Sequence, residues 1–208
     1  MNWLIGWAVL TASQPAIAGK DRCDRPADEL AEVSETLKGL AAAEEQDAAD
    51  MRDDKADRDK DRAKTAKSYA KKGWLCTPED QFHAAWVMRH NSDADDLKIA
   101  LDAATNAMNG HVPRANWLTA IVFDRHQVHT GQPQRYGSMM GTPEGKLCLY
   151  AIDESITDAD RALYGMPPIQ SQFKRVLEAN SIREEATLRE VKRRDLICPA
   201  VDPNKKGR

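Results

Sequence analysis

The four cysteines are what most constrain this chain. Cys23, Cys76, Cys148 and Cys198 are widely spaced and include no CxxC pair. That spacing argues against a zinc site or a thioredoxin-like redox motif. It fits long-range disulfides, provided the chain reaches an oxidising compartment. The first residues read as a route to one. Trp3 to Leu10 form a short apolar run, and Ala16-Ile17-Ala18 reads as a small-x-small cleavage site before Gly19. The run is shorter than the roughly 20 apolar residues needed to span a bilayer. No Cys sits directly after the cleavage site, where Gly19 stands, to carry a lipid anchor. Residues 1–18 are therefore read as a signal peptide. The mature protein is expected to be exported, periplasmic or extracellular, with no stable membrane anchor after cleavage. Four cysteines paired as two disulfides allow three connectivities.

From Leu30 onward the residue pattern is helical. Leu30, Val33, Leu37 and Leu40 make an apolar seam. From Arg52 to Lys64 the pattern becomes charged on every side. Asp54–Arg58, Asp59–Arg62 and Asp61–Lys64 fall at i,i+4 or i,i+3 spacing, worth about 0.2–0.5 kcal/mol each. Their alternating signs predict a solvated helix face rather than a binding arm. Residues 19–71 thus read as a charged N-terminal helical extension, and Gly73 breaks it. Residues 72–166 read as a compact α domain. Thr77-Pro78-Glu79-Asp80 opens its first helix with an N-cap, an N1 proline and first-turn acids. Ser92 or Asp93 caps the next, whose core face is Leu97, Ala100, Leu101, Ala104 and Met108, and Gly110 stops it. A third starts at Pro113, carries Leu118, Ile121, Val122 and Arg125 on one stripe, and ends at Thr130-Gly131.

The period then changes. Gln132–Ser138 and Lys146–Ile152 are predicted strands of a hairpin, joined through Gly141, Pro143 and Gly145. Thr157-Asp158-Ala159-Asp160 caps another helix, ended by Gly165-Met166-Pro167-Pro168. The segment 167–197 is expected to hold a last helix, from about Ile169 to Asp195, followed by a tail, 198–208. The predicted fold is mainly α, with one small antiparallel β-hairpin and long N- and C-terminal helices. Antiparallel packing of those long helices would favour Cys23–Cys198, leaving Cys76–Cys148. The rival, Cys23–Cys76, requires the first helix to fold back near residue 47. A straight helix over 27–71 would hold those two cysteines about 65 Å apart.

Chemistry-bearing residues concentrate between Asp124 and Gly137. Arg125 lies in an apolar stripe and needs acceptors, either as an anion clamp or as a brace to Asp93, Asp160 or helix-end carbonyls. Asp124 is a second candidate acid–base group beside it. Gln134 and Tyr136 alternate along the predicted strand, so they share a face. There they either line a polar pocket or lock the hairpin onto the helices. His90, near a helix C-terminus, is either a general acid–base or a buried histidine satisfied by hydrogen bonds. Catalytic candidates are thus His90, Asp124 and Tyr136, and ligand-binding candidates are Arg125, Gln134 and Tyr136. His126 and His129 lie three apart, with His83 and His111 elsewhere, but no acid or Cys completes a recognisable metal set. No GxSxG, HExxH, P-loop or GxGxxG occurs, so no cofactor is expected. Trp74, Trp86 and Trp117 suit core positions. The formal net charge of −3 lies wholly after residue 18 and gives no general attraction to nucleic acid.

Several of these residues form a recognisable series. It comprises Gly73-Trp74, Ala85-Trp86-Val87-Met88-Arg89-His90 with Asp93, Asp124-Arg125, Gly131-Gln132-Pro133-Gln134-Arg135-Tyr136-Gly137-Ser138, and Asp158 through Arg161 to Gly165-Met166-Pro167. From about Leu37 to Met166 the chain resembles the uncharacterised bacterial family called domain of unknown function 6624. The Gln-x-Tyr-Gly stretch is the most specific part of the resemblance. The chain departs from the family pattern at Arg89, where a Gln is usual, and at Ser138-Met139, where Thr-Gln is usual. It also has Ala49 in place of the Arg that closes an Asp-Gln-x-x-Arg pattern on the first helix. The resemblance implies no activity, because the family has none established.

Two functions stand as expectations. The first is an exported binding or structural module with a buried polar network and an unknown protein or small-molecule partner. It would have room for self-association through the long helices. The alternative is a hydrolase or transferase using His90, Arg125, Gln134 and Tyr136. That alternative requires the four side chains to converge on a solvent-reachable cleft.

Overall fold

A computed structural model describes residues 23–180 and 196–201. The expected signal peptide, the continuation of the last helix over 181–195 and the end of the tail lie outside the described residues. The described chain forms α1 (Ala27–Ala49), α2 (Lys55–Lys72), α3 (Pro78–Met88), α4 (Ala94–Asn109) and α5 (Ala115–His129). The hairpin strands β1 (Met140–Gly141) and β2 (Cys148–Leu149), then α6 (Asp158–Leu163) and α7 (Ile169–Ala179), complete it. The fold is mainly α with one small antiparallel hairpin, as the periodicity predicts.

Local chemistry sets most helix ends. Thr77 and Asp80 form a reciprocal capping box at α3, with Pro78 in the first turn. Thr157 and Asp160 repeat the box at α6. The Asp93 side chain accepts from two backbone N–H groups at the start of α4. Each device satisfies donors that a helix start leaves open.

The long first helix does not run straight. α1 ends at Ala49, and the chain turns back through Asp50–Asp54, with Met51 in the left-handed region at φ 49°. The resulting α1–α2 hairpin buries Val33, Leu37 and Ala41 together with Ala63 and Ala66. These pack in one core with Ala84, Ala85, Trp86 and Met88 of α3 and Ala100 and Ala104 of α4. The segment read as a charged extension therefore supplies a wall of the main core. Nor is α2 solvated all round. Asp57, Lys60, Asp61 and Lys64 are exposed or partly so, whereas Arg62 is buried and Lys55 and Asp59 are half-buried. Asp61–Lys64 pairs at 2.7 Å as expected. The expected Asp54–Arg58 pair is replaced: Arg58 reaches Asp47 at 2.9 Å and Arg52 takes Asp54 at 2.9 Å.

The helical hairpin also decides the disulfides. The bonds are Cys23–Cys76 and Cys148–Cys198, with Cα–Cα distances of 5.7 and 5.1 Å. The preferred Cys23–Cys198 and Cys76–Cys148 pairing is thus corrected in favour of the rival. Folding back at Asp50–Asp54 returns the chain to its own start and places Cys23 beside the entry to α3. α7 packs on β2, while α1 packs on α2 and α3. Cys198 is held at the hairpin by its own N–H, which donates to the Leu149 carbonyl at 2.8 Å.

Candidate functional site

The stretch after α5 is organised by Asp124. Its side chain, not that of Arg125, is the one turned fully into the protein. One carboxylate oxygen accepts from the backbone N–H of Arg135 at 2.8 Å and of Tyr136 at 2.9 Å. The other accepts from the Ser138 N–H at 2.9 Å and its hydroxyl at 2.8 Å. This explains why the predicted strand over 132–138 does not form. The N–H groups that would pair with a neighbouring strand are taken by a side chain. Gly137 supports the turn with φ +74°, and a Cβ there would lie 2.7 Å from the Ile169 Cδ1 and 3.2 Å from the Arg161 Nη1. Burial pushes the Asp124 carboxyl above its ordinary value, while the donors from Tyr136, Ser138 and Arg135 pull it back in part.

Gln134 locks the other side of the same turn. Its backbone N–H donates to the Ala151 carbonyl and its carbonyl accepts from the Asp153 N–H, both at 2.8 Å. Its buried amide donates to the Met139 carbonyl at 3.0 Å and the Tyr150 carbonyl at 2.9 Å, and accepts from the Met139 N–H at 2.7 Å. The amide thus joins the two arms of the hairpin just below β1 and β2. Tyr136 does not share a strand face with it. The ring enters a separate cluster with Ala120 and Met166, with ring centroids 4.6 Å from Tyr164 and 5.9 Å from Phe123. Burial, with Tyr164 beside it, raises the phenol well above its ordinary value, so it stays protonated at neutral pH.

Arg125 is half-buried, and its buried Nε has no hydrogen-bond partner among the described residues. Burial, followed by the nearby Arg89, disfavours its charge. The braces expected from the sequence are engaged elsewhere, since Asp93 caps α4 and Asp160 boxes with Thr157. His129 is pushed below the ordinary histidine value by burial and then by Arg125.

His90 belongs to a different assembly. It stands after α3 with its Nε2 3.4 Å from a carboxylate oxygen of Glu44, which is only 1% exposed. Glu44 also accepts from Arg89 at 2.5 and 2.9 Å and from Lys55 at 3.0 Å. Burial raises the Glu44 carboxyl, but His90, Arg89 and Lys55 more than offset it and hold it well below the carboxylate range. One turn on, buried Asp47 pairs with buried Arg62. Sequence reasoning missed this knot, although a signal for it was present. Glu44 and Asp47 continue the seam of Leu37, Leu40 and Ala41 at spacings of three and four, so they face inward. Arg89, where the family resemblance breaks, is the main partner of Glu44.

The four residues of the enzymatic alternative therefore do not converge. His90 lines a cleft of about 320 Å³ with Asp59, Lys60 and Asn91, and none of Arg125, Gln134 or Tyr136 lines it. Trp86 is buried, and Trp74 and Trp117 pack against the same core. Among the described residues no group of three or more His, Cys, Asp or Glu is placed to hold a metal ion. No described helix is long and apolar enough to cross a membrane. A search against protein-family models, curated proteins and solved structures finds no match.

Proposed function

We propose that this protein is an exported binding or structural module, in which a buried polar network fixes the hairpin for contact with a partner. The observation that carries the reading is the saturation of Asp124 and Gln134. Every oxygen of the Asp124 carboxylate is occupied by the turn it holds. The Gln134 amide is equally committed. Groups spent on fixing a backbone are not free to move protons on a substrate. Two disulfides support an extracytoplasmic home, since such bonds persist in oxidising compartments. Membership of the domain of unknown function 6624 family is part of the same proposal, carried by the Gln134–Ser138 stretch and its neighbours.

The experiment is activity-blind. Gln134→Leu and Asp124→Asn are compared with His90→Gln by thermal unfolding and by retention of whatever partner co-purifies from the native compartment. The reading expects the first two to lower stability and loosen the partner together. A stable Asp124→Asn protein that loses a measurable hydrolytic or transfer activity would overturn it.

A further inference from the structure

Arg161 is buried with two of its guanidinium nitrogens unsatisfied among the described residues, and it borders a cavity. Arg161 of α6 is 1% exposed. Its nearest counter-ion is Asp158, one of whose carboxylate oxygens lies 3.3 Å from the Arg161 Nε. That oxygen already accepts the Ile169 N–H at 2.8 Å. The Arg161 Nε and Nη1 are both sealed from bulk water, and neither has a hydrogen-bond partner among the described residues. A guanidinium carries five N–H donors, and leaving them buried without acceptors is strongly unfavourable. Gly137 allows this burial, because a Cβ there would sit 3.2 Å from Nη1.

Arg161 lines a cavity of about 550 Å³, within the range of roughly 300–1,000 Å³ usual for small-molecule sites. The other walls include Ile152, Ile156, Ile169, Phe173 and Ile197. A guanidinium bordering a chamber whose other walls are largely apolar matches one ligand chemistry: a single carboxylate on a hydrocarbon tail. Arg161 is the one cation among the described lining residues, and Glu154, exposed on the lining, disfavours a second negative group on the ligand. That selects a monocarboxylate over a dicarboxylate.

We infer that this cavity binds a medium-chain fatty acid, with its carboxylate beside the Arg161 guanidinium and its tail among the isoleucines. The inference rests on the reading of the protein as a binding module and supplies its ligand class. One wall is the segment 151–156 that follows β2, and the Gln134 backbone holds it through its bonds to Ala151 and Asp153. That gives the brace a purpose beyond stability.

The test is isothermal titration calorimetry on the mature protein with octanoate, decanoate, dodecanoate and dodecanol, all below their micelle concentrations. The expected affinity rises about fourfold per added methylene until the chamber is full. Dodecanol should bind at least tenfold more weakly than dodecanoate, because it carries no charge to pair with the guanidinium. These comparisons use the wild-type chain, so they do not depend on whether an Arg161 variant folds. Ile156→Trp, at the half-buried wall, should weaken dodecanoate more than octanoate by shortening the chamber. Dodecanol binding as tightly as dodecanoate, no dependence on chain length, or no saturable binding would each overturn the inference. Mass spectrometry of the recovered acid separates this from the parent reading. An unchanged acid supports a binding module. A chemically altered acid leaves the cavity assignment standing and overturns the non-catalytic reading.

Discussion

Asp124→Asn is the most informative single substitution, because it keeps the shape of the side chain and removes one acceptor. The carboxylate serves four donors, two on each oxygen. An amide offers one oxygen, so one pair of donors must face an NH2 group. The Ser138 hydroxyl can rotate and accept from that NH2, but a backbone N–H cannot. At least one buried donor is therefore orphaned, at about 1–3 kcal/mol, and the bonds to the remaining oxygen lose their charge assistance, about 1 kcal/mol more. The total is about 2–4 kcal/mol. The elevated Asp124 carboxyl sets the direction of its pH dependence. A group whose folded value is raised contributes most in acid and less as pH rises through that value. The lower end of the range is about 2 kcal/mol. For a chain of this size that corresponds to a fall in Tm of about 4–8 °C. The assay is urea denaturation with both disulfides intact, reading the midpoint at constant slope, with Ser138→Ala as a control that loses only the hydroxyl, about 1 kcal/mol. An Asp124→Asn protein within about 0.5 kcal/mol of wild type would refute the claim that this carboxylate holds the turn.

Three further outcomes are expected from other parts of the molecule. Glu44→Gln leaves Arg89 and Lys55 without their buried counter-charge and should cost on the order of 3 kcal/mol, measured by the same denaturation. Because the folded Glu44 value is depressed, its contribution is complete at neutral pH and is lost as pH falls below the ordinary 4.5 toward the lower folded value. Glu44→Gln should therefore flatten the acid limb of the stability profile, and an unchanged limb would contradict the assignment. Peptide mapping without reduction should yield Cys23–Cys76 and Cys148–Cys198, and recovery of a Cys23–Cys198 peptide would break the helical-hairpin account. Replacing both Cys148 and Cys198 by Ser opens a loop of sequence separation 50 and should cost about 4 kcal/mol by denaturation.

The helical frame was legible because its signals are local. Thr77-Pro78 with Asp80, Asp93, and Thr157 with Asp160 are read within one turn of chain, and each caps the helix it was expected to cap. The return at Asp50–Asp54 was not legible in the same way. It uses no Gly or Pro, and Met51 takes its positive φ at a surface position, where nothing in the pattern demands it. The hint lay in the acids themselves, since Glu44 and Asp47 fall on the inward seam and require cations, which Arg89 after α3 and Lys55, Arg58 and Arg62 of a folded-back α2 supply. The same long-range chemistry hid the site. Periodicity placed Arg125 inward and left Asp124 undetermined, because an apolar stripe does not register a carboxylate paired with backbone N–H groups eleven to fourteen residues away. Tyr136 was placed with Gln134 by strand alternation, and that alternation vanishes once Asp124 takes the strand's donors. Arg161 stands in the recognisable series, but its cavity is not legible there, because the other walls come from residues 151–156, α7 and Ile197 and meet only in the fold.

The central claim is that the polar side chains around residue 134 are spent on backbone. It is tested most directly by amide hydrogen exchange at Arg135, Tyr136, Ser138 and Met139 in the wild-type protein. These amides lie in a turn outside the regular elements, where exchange is ordinarily fast. The account predicts protection comparable to that of the buried turns of α5, lost at Arg135, Tyr136 and Ser138 in Asp124→Asn and at Met139 in Gln134→Leu. Rapid exchange of all four amides in the wild-type protein would contradict it.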